Sequence, residues 1–205
     1  MRSAWRATYE KTAYTELPWF EPGPSASVRL AVDERFLRPN SEVLDVGCGA
    51  GSNLLFLAER GFRVHGIDLS PGAIAAARAR AVQAQVAVDA QEGDALAIPF
   101  SEGTLDAVVD IGCFHTLPFS RRDRYAREVH RVVRPGGSFV LSWVAREHSS
   151  PQGPPHRPSL AEVTAVFESR FLFERTGFRP TPQEGDPSTY FAFLRRRSAP
   201  QPPRR

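Results

Sequence analysis

Two kinds of hydrophobic pattern alternate along the chain. Short, nearly continuous apolar runs occur at "SEVLDVG", "FRVHGIDLS", "VAVDAQEGDA", "TLDAVVDIGCF" and "GGSFVLSWV", as expected of strands buried on both faces. Between them the apolar residues recur at helical spacing. "SASVRLAVDERFL" (25–37) repeats Val28, Val32 and Phe36, "SNLLFLAERG" stops at Gly61, and "SRRDRYAREVHRVVRP" stops before Pro135. "SPGAIAAARARAVQ" places Ser70 at an N-cap and Pro71 at the first helical position. A last helix, "SLAEVTAVFESR", starts at Ser159, and the strands "FLFERTGF" and "TYFAFLRRR" close the pattern without a helix between them.

This alternation predicts an α/β, doubly wound sheet of seven strands, mostly parallel with an antiparallel last strand. Residues 1–27 stand apart. Trp5, Tyr9, Tyr14, Trp19 and Phe20 are spread over a partly helical segment that "ELPWFEPGPS" then breaks. Three regions follow: an N-terminal lid segment (1–27), a main domain (28–197) and a disordered tail (198–205). "AREHSSPQGPPHRPS" is a Pro- and Ser-rich loop too long for a mere connector.

Composition narrows the class without naming a function. The 205 residues are 41% hydrophobic and 24% charged, ordinary for one soluble domain. No apolar run approaches the roughly 20 residues of a membrane helix, and the N-terminus lacks a secretory pattern. Cys48 and Cys113 are the only cysteines, too few for a disulfide framework and without metal-ligand spacing. A cytoplasmic protein without a metal is expected. The net charge of +3 is mostly arginine at "RRDR", "LRRR" and the terminal "RR". Those runs read as solvated surface rather than a nucleic-acid face, which would interleave aromatics.

The candidate chemistry lies at the strand ends. "DVGCGAG" follows the first strand, where ligands of open parallel sheets bind. Gly47, Gly49 and Gly51 permit close backbone approach to a ligand, and the helix from Asn53 points free N–H groups at the same place. A dinucleotide loop would read GxGxxG/A, but here Ser52 stands at the last small position. Asp45 also lies where a pyrophosphate would meet a like charge, so a ligand with a cationic end fits better. The second strand ends on Asp68, suited to ribose hydroxyls. The third ends near Asp94, whose carboxylate suits an exocyclic amine while Ala95 offers a backbone N–H. Together they outline a nucleoside with an amino-acid-like appendage.

The ordered set "EVLDVGCGAGSN", "VHGIDLS", "EGDALAIPF", "LDAVVDIGCFHTL" and "RVVRPGGSFVLS" resembles class I S-adenosylmethionine-dependent methyltransferases over roughly residues 40–145. "TELPWFEPGPS" further resembles the small bacterial branch akin to thiopurine and tellurite-resistance enzymes. The resemblance implies a Rossmann-like fold, S-adenosylmethionine as methyl donor and S-adenosylhomocysteine as product. It places Asp45, Gly47, Cys48, Gly49, Gly51 and Asn53 at the methionine moiety. It further places Asp68 and Leu69 at the ribose, Asp94 and Ala95 at the adenine, and Asp110, Ile111 and Gly112 beside the methionine.

The acceptor is expected past the fourth strand, near Phe114, His115 and Leu117, with Tyr14 and Trp19 closing over it from the N-terminal segment. His115 is the general-base candidate, since imidazole titrates near neutrality. It reads equally as a packing residue. Glu16 is a weaker base candidate, Cys113 reads as a small buried filler, and His148 and His156 fall in the Pro-rich loop. The Asn/Asp/Ser-Pro-Pro-aromatic stretch of base-modifying enzymes is replaced by "DIGC", and a paired-glutamate loop for arginine is missing. A small-molecule acceptor remains, handled by a monomer or homodimer without nucleic acid or membrane. The alternatives are a non-catalytic S-adenosylmethionine-binding module and a nicotinamide-dependent oxidoreductase.

Overall fold

The computed structural model describes residues 2–144, 156–179 and 189–198. Seven strands form one sheet: β1 (Glu42–Val46), β2 (Arg63–Asp68), β3 (Asp89–Glu92), β4 (Leu105–Ile111), β5 (Val133–Val144), β6 (Phe171–Arg179) and β7 (Thr189–Arg196). Their order is β3-β2-β1-β4-β5-β7-β6. The first five pair in parallel. β7 inserts between β5 and β6 and runs antiparallel to both. The order reverses between β1 and β4, and an open α/β sheet offers its ligand crevice at that reversal.

The helices are α1 (Arg2–Lys11), α2 (Ala26–Asp33), α3 (Ser52–Ala58), α4 (Pro71–Gln83), α5 (Phe119–Val132) and α6 (Leu160–Phe167), with 3-10 turns at Tyr14–Glu16 and Phe114–Thr116. Successive strand residues point to opposite faces, so the sheet divides the core in two. Leu44, Val46, Val108 and Leu141 pack with Tyr125 of α5 and Phe167 of α6. Val43, Ala107, Val109 and Val140 pack with Val28, Leu54 and Ile74 of α2, α3 and α4.

Serine hydroxyls satisfy the free N–H groups at three helix starts. Ser25 accepts from Val28 at 3.2 Å and Ser70 from Ala73 at 3.4 Å. Ser159 accepts from Glu162 at 3.2 Å while the Glu162 carboxylate accepts the Ser159 N–H at 2.7 Å, a reciprocal box.

Several boundaries differ from those the pattern predicts. β3 stops at Glu92 rather than near Asp94, because Gly93 turns onto Ile67 and Asp94 bridges to Ala97. α2 ends at Asp33 rather than Leu37, since Arg35 adopts φ 56°. β5 begins at Val133, directly after α5. The Pro-rich loop from 145 to 155 with His148, the β6–β7 connection and the tail beyond Ser198 lie outside the described residues.

Replacing Ser159 by alanine removes one half of the box at the start of α6, the helix that delivers Phe167 to the core. The expected loss is about 1 kcal/mol, read as a fall of ~2–4 °C in thermal midpoint.

Candidate active site

The glycine loop is set by the end of β2. Gly47 and Cys48 both donate their N–H groups to the Ile67 carbonyl, at 2.8 and 3.0 Å. This turn needs φ +72° at Gly47, where a Cβ would also stand 2.7 Å from that of Cys113. Gly49 has φ +53° and donates its N–H to Asp68 Oδ2 at 3.0 Å. Asp68 Oδ1 accepts from Ser70 at 2.9 Å, so one carboxylate ties the loop to the start of α4. Burial pushes the Asp68 pKa up, and these backbone donors oppose the rise.

Asp45 is 1% exposed on β1. Its Oδ2 is the one buried side-chain polar atom among the described residues without a hydrogen-bond partner. Burial pushes its pKa up to about 8, the nearby Asp110 adds to the rise, and a hydrogen bond from Asn53 opposes it. The Asn53 side chain also accepts the Ser25 N–H at 3.0 Å. An uncompensated buried carboxyl is costly, and a cation delivered beside it is the natural complement.

Asp110 has the opposite situation. It accepts from the Cys113 N–H at 2.8 Å, from the Phe114 N–H at 3.0 Å and from the Tyr125 hydroxyl at 2.5 Å. Burial raises its pKa to about 6 against those donors. The carboxylate builds the 3-10 turn after β4 and is fully buried. Asp110 therefore supports this edge of the site through the turn. Ile111 and Gly112 form the strand's exit, with Gly112 donating to the Ser142 carbonyl at 3.0 Å.

Phe114 and Leu117, expected beside the acceptor, both turn into the core. Phe114 is fully buried against Tyr125 and Phe167, and Leu117 packs in the same core. In a 3-10 turn, residues three apart share a side, and both face inward. His115 sits between them, half-buried, and its Nδ1 accepts the Val144 N–H at 3.0 Å. Burial lowers the His115 pKa to about 4, helped by Arg157 and Arg122. The imidazole is thus neutral near pH 7, with its lone pair engaged and its other nitrogen an N–H donor. That arrangement opposes a general-base role. His156 donates its backbone N–H to the His115 carbonyl at 2.7 Å.

Around the nucleoside end, Asp94 Oδ1 accepts the Leu96 N–H at 3.0 Å and Ala95 is buried. Leu69 presents its carbonyl to Arg6 at 3.2 Å. Tyr14 packs edge-on to Phe20, with Arg80 over both rings, rather than beside His115. Glu16 is exposed. Trp19 is 49% exposed and leans on Trp5 and Tyr9. Burial pushes the thiols of Cys48 and Cys113 up, and neighbouring carboxylates add to it.

Residues 43–137 match the family described as a methyltransferase domain. An uncharacterised methyltransferase of Synechocystis sp. is 31% identical over 179 residues, 82% of this chain and 81% of the relative. The chain belongs to the class I S-adenosylmethionine-dependent methyltransferases. The 2-heptyl-1-hydroxyquinolin-4(1H)-one methyltransferase of Mycobacteroides abscessus is 24% identical over 170 residues, 80% of this chain and 74% of its own. A structure solved in work on the conversion of a disulfide bond into a thioacetal group during echinomycin biosynthesis superposes with a TM-score of 0.82. It is 26% identical, and the match covers 96% of this chain and 92% of the other.

The methyltransferase is an enzyme whose cosubstrate is S-adenosylmethionine, which removes the nicotinamide and non-catalytic alternatives. The Ser52 hydroxyl, at the position that disfavoured a dinucleotide, donates to the Glu21 carbonyl at 2.5 Å and accepts from Arg80 at 3.0 Å. The likeness of "TELPWFEPGPS" to the thiopurine and tellurite-resistance branch stays a resemblance. Among the described residues no helix is long and apolar enough to cross a membrane, and no His/Cys/Asp/Glu group is arranged to hold a metal. The orphaned Asp45 oxygen fits the ammonium of the cosubstrate's amino-acid end.

That fit has a pH signature. Asp45 is mostly protonated at pH 7 without ligand, and an ammonium beside it favours the ionised form. Binding should release up to one proton, and affinity for S-adenosylhomocysteine should rise with pH up to about 8. Calorimetry in two buffers of different ionisation enthalpy reads the proton directly. Asp45→Asn should bind weakly and without that proton release; an unchanged release would place it on another group.

Proposed function

We propose that this methyltransferase acts on a small molecule whose nucleophile has no proton to lose in the transfer, with sulfur the first choice. The observation that carries the reading is the Val144 N–H on His115 Nδ1, which occupies the lone pair a base would use. When bound, the cosubstrate supplies a methyl carbon activated by its sulfonium. Displacement at such a carbon demands position and exclusion of water more than proton transfer. A thioether, a disulfide sulfur or a thiolate meets that condition. The protein related to disulfide-to-thioacetal conversion, similar to this chain over 96% of its length, supports sulfur.

In this reading Asp45, Asn53 and the loop of Gly47, Cys48, Gly49 and Gly51 hold the amino-acid end. Asp68 and Leu69 hold the ribose, Asp94 and Ala95 the adenine, and Ile111 and Gly112 the methionine side next to the acceptor. His115 braces the ends of β4 and β5 and turns its remaining N–H toward the acceptor. The mild charge supports a free metabolite over nucleic acid, and we read the enzyme as cytoplasmic, a monomer or homodimer.

A labelled-methyl screen over thiolates, thioethers, disulfides, phenols and amines tests the acceptor, with methylated sulfur the expected product. Two variants test the histidine. The amide side chain of His115→Asn can still accept from Val144 and donate outward, so that variant should retain most of the turnover that His115→Ala loses. A base would instead make both variants roughly 10²–10⁴-fold slower. At saturating cosubstrate the wild-type turnover number should show no acid limb near the ordinary imidazole pKa of about 6.5. A limb there that vanishes in both variants would refute the proposal.

A further inference from the structure

We infer that α1 is a clamp on the nucleoside half of the cosubstrate, with Tyr9 as its closing residue. The inference rests on the cosubstrate placement proposed above. Tyr9 bridges two glycines. At one end its Cβ lies 3.0 Å from the place a Gly72 side chain would begin, on the first turn of α4. At the other its hydroxyl lies 3.0 Å from the place a Gly49 side chain would begin. The side chain therefore spans from the start of α4 to the glycine loop, alongside the β2 exit where Asp68 binds both.

The hydroxyl is tuned for donation. Burial pushes its pKa up to about 12, a hydrogen bond from Trp19 opposes the rise, and Asp68 and Cys48 add to it. Trp19 Nε1 donates to the oxygen at 3.5 Å, which leaves the phenolic proton for a ligand oxygen. One turn earlier, Arg6 shares the helix face with Tyr9. It donates to the Leu69 carbonyl at 3.2 Å and pairs with Glu92 at 3.1 Å, at the exits of β2 and β3. Apart from Gly49 on the loop after β1, these contacts lie on the β2–β3 side of the switch point. His115 and the end of β5 lie on the other. The clamp thus acts on cosubstrate exchange and leaves acceptor entry open.

Its hold is light enough to release. The Arg6–Glu92 pair is half exposed on both partners, a class of ion pair that contributes little. A helix of ten residues is marginal once undocked. Lifting Tyr9 therefore loosens the whole segment, and Trp5 and Trp19, packed edge-on at 5.4 Å, report it by fluorescence.

Stopped-flow release of S-adenosylhomocysteine from the full-length protein is the test. Tyr9→Ala should release it about tenfold or more faster than wild type, and Tyr9→Phe and Arg6→Ala about threefold faster. Circular dichroism should show at most the loss of the ten helical residues of α1, with the sheet and the other helices retained. S-Methyl-5′-thioadenosine, which lacks the amino-acid end, should show the same factors. Wild-type release rates in Tyr9→Ala would overturn the clamp. Acceleration for S-adenosylhomocysteine alone would overturn its placement on the nucleoside. If the wild type binds neither compound, the cosubstrate placement itself falls, and the clamp with it.

Discussion

Burying Asp45 and Asp110 near one another at the exits of β1 and β4 costs solvation that their surroundings offset unequally. Asp110 draws on two backbone N–H groups and the Tyr125 hydroxyl, and in return fixes the turn that carries His115. Asp45 keeps one oxygen without a partner. The inequality follows from strand geometry, since Asp45 pairs in register with Val109 and Asp110 falls on the opposite face. One carboxyl is completed by the fold, and the other is left to be completed by a ligand. Asn53, at the start of α3, bridges that second group to Ser25 at the start of α2.

Arg80 shows how the N-terminal segment joins this arrangement. It donates to the Ala50 carbonyl at 2.6 Å, to Ser52 at 3.0 Å and to the Pro22 carbonyl at 3.0 Å, while Tyr14 and Phe20 cover its guanidinium. The planar fork reaches these acceptors from two separate nitrogens, whereas a lysine's three donors radiate from a single atom. The aromatics before the core thus divide their work. Tyr14 and Phe20 cover Arg80, and Tyr9, with Trp19 on its hydroxyl, meets the loop at Gly49.

Much of the fold was legible along the chain because its causes are local. Apolar runs mark the strands, and Ser70 with Pro71, and Ser159, mark helix starts by chemistry contained within one turn. That Asp45 and Asp68 stand on strand ends follows from the same patterns. The insertion of β7 between β5 and β6 was not legible, because two consecutive strands give no sign of which one pairs inward. Neither was the fate of Phe114, Leu117 and Asp110. Beyond a strand's last residue the period of two lapses, and a 3-10 turn then decides which side chains face the core. Tyr9 was legible only as one aromatic of the N-terminal segment. Its partners Gly49 and Gly72 are distant in sequence, and glycine leaves no pattern that points to what will rest on it.

The two cysteines carry a consequence for an enzyme that handles an alkylating agent. Cys48 lies within the glycine loop and Cys113 abuts Gly47, so both thiols adjoin the cosubstrate's proposed seat. Thiolate is the form that attacks carbon, and burial among carboxylates keeps both sulfurs in the thiol form. The same acidic surroundings that suit a cationic ligand thereby hold the two thiols beside the loop in their less nucleophilic form.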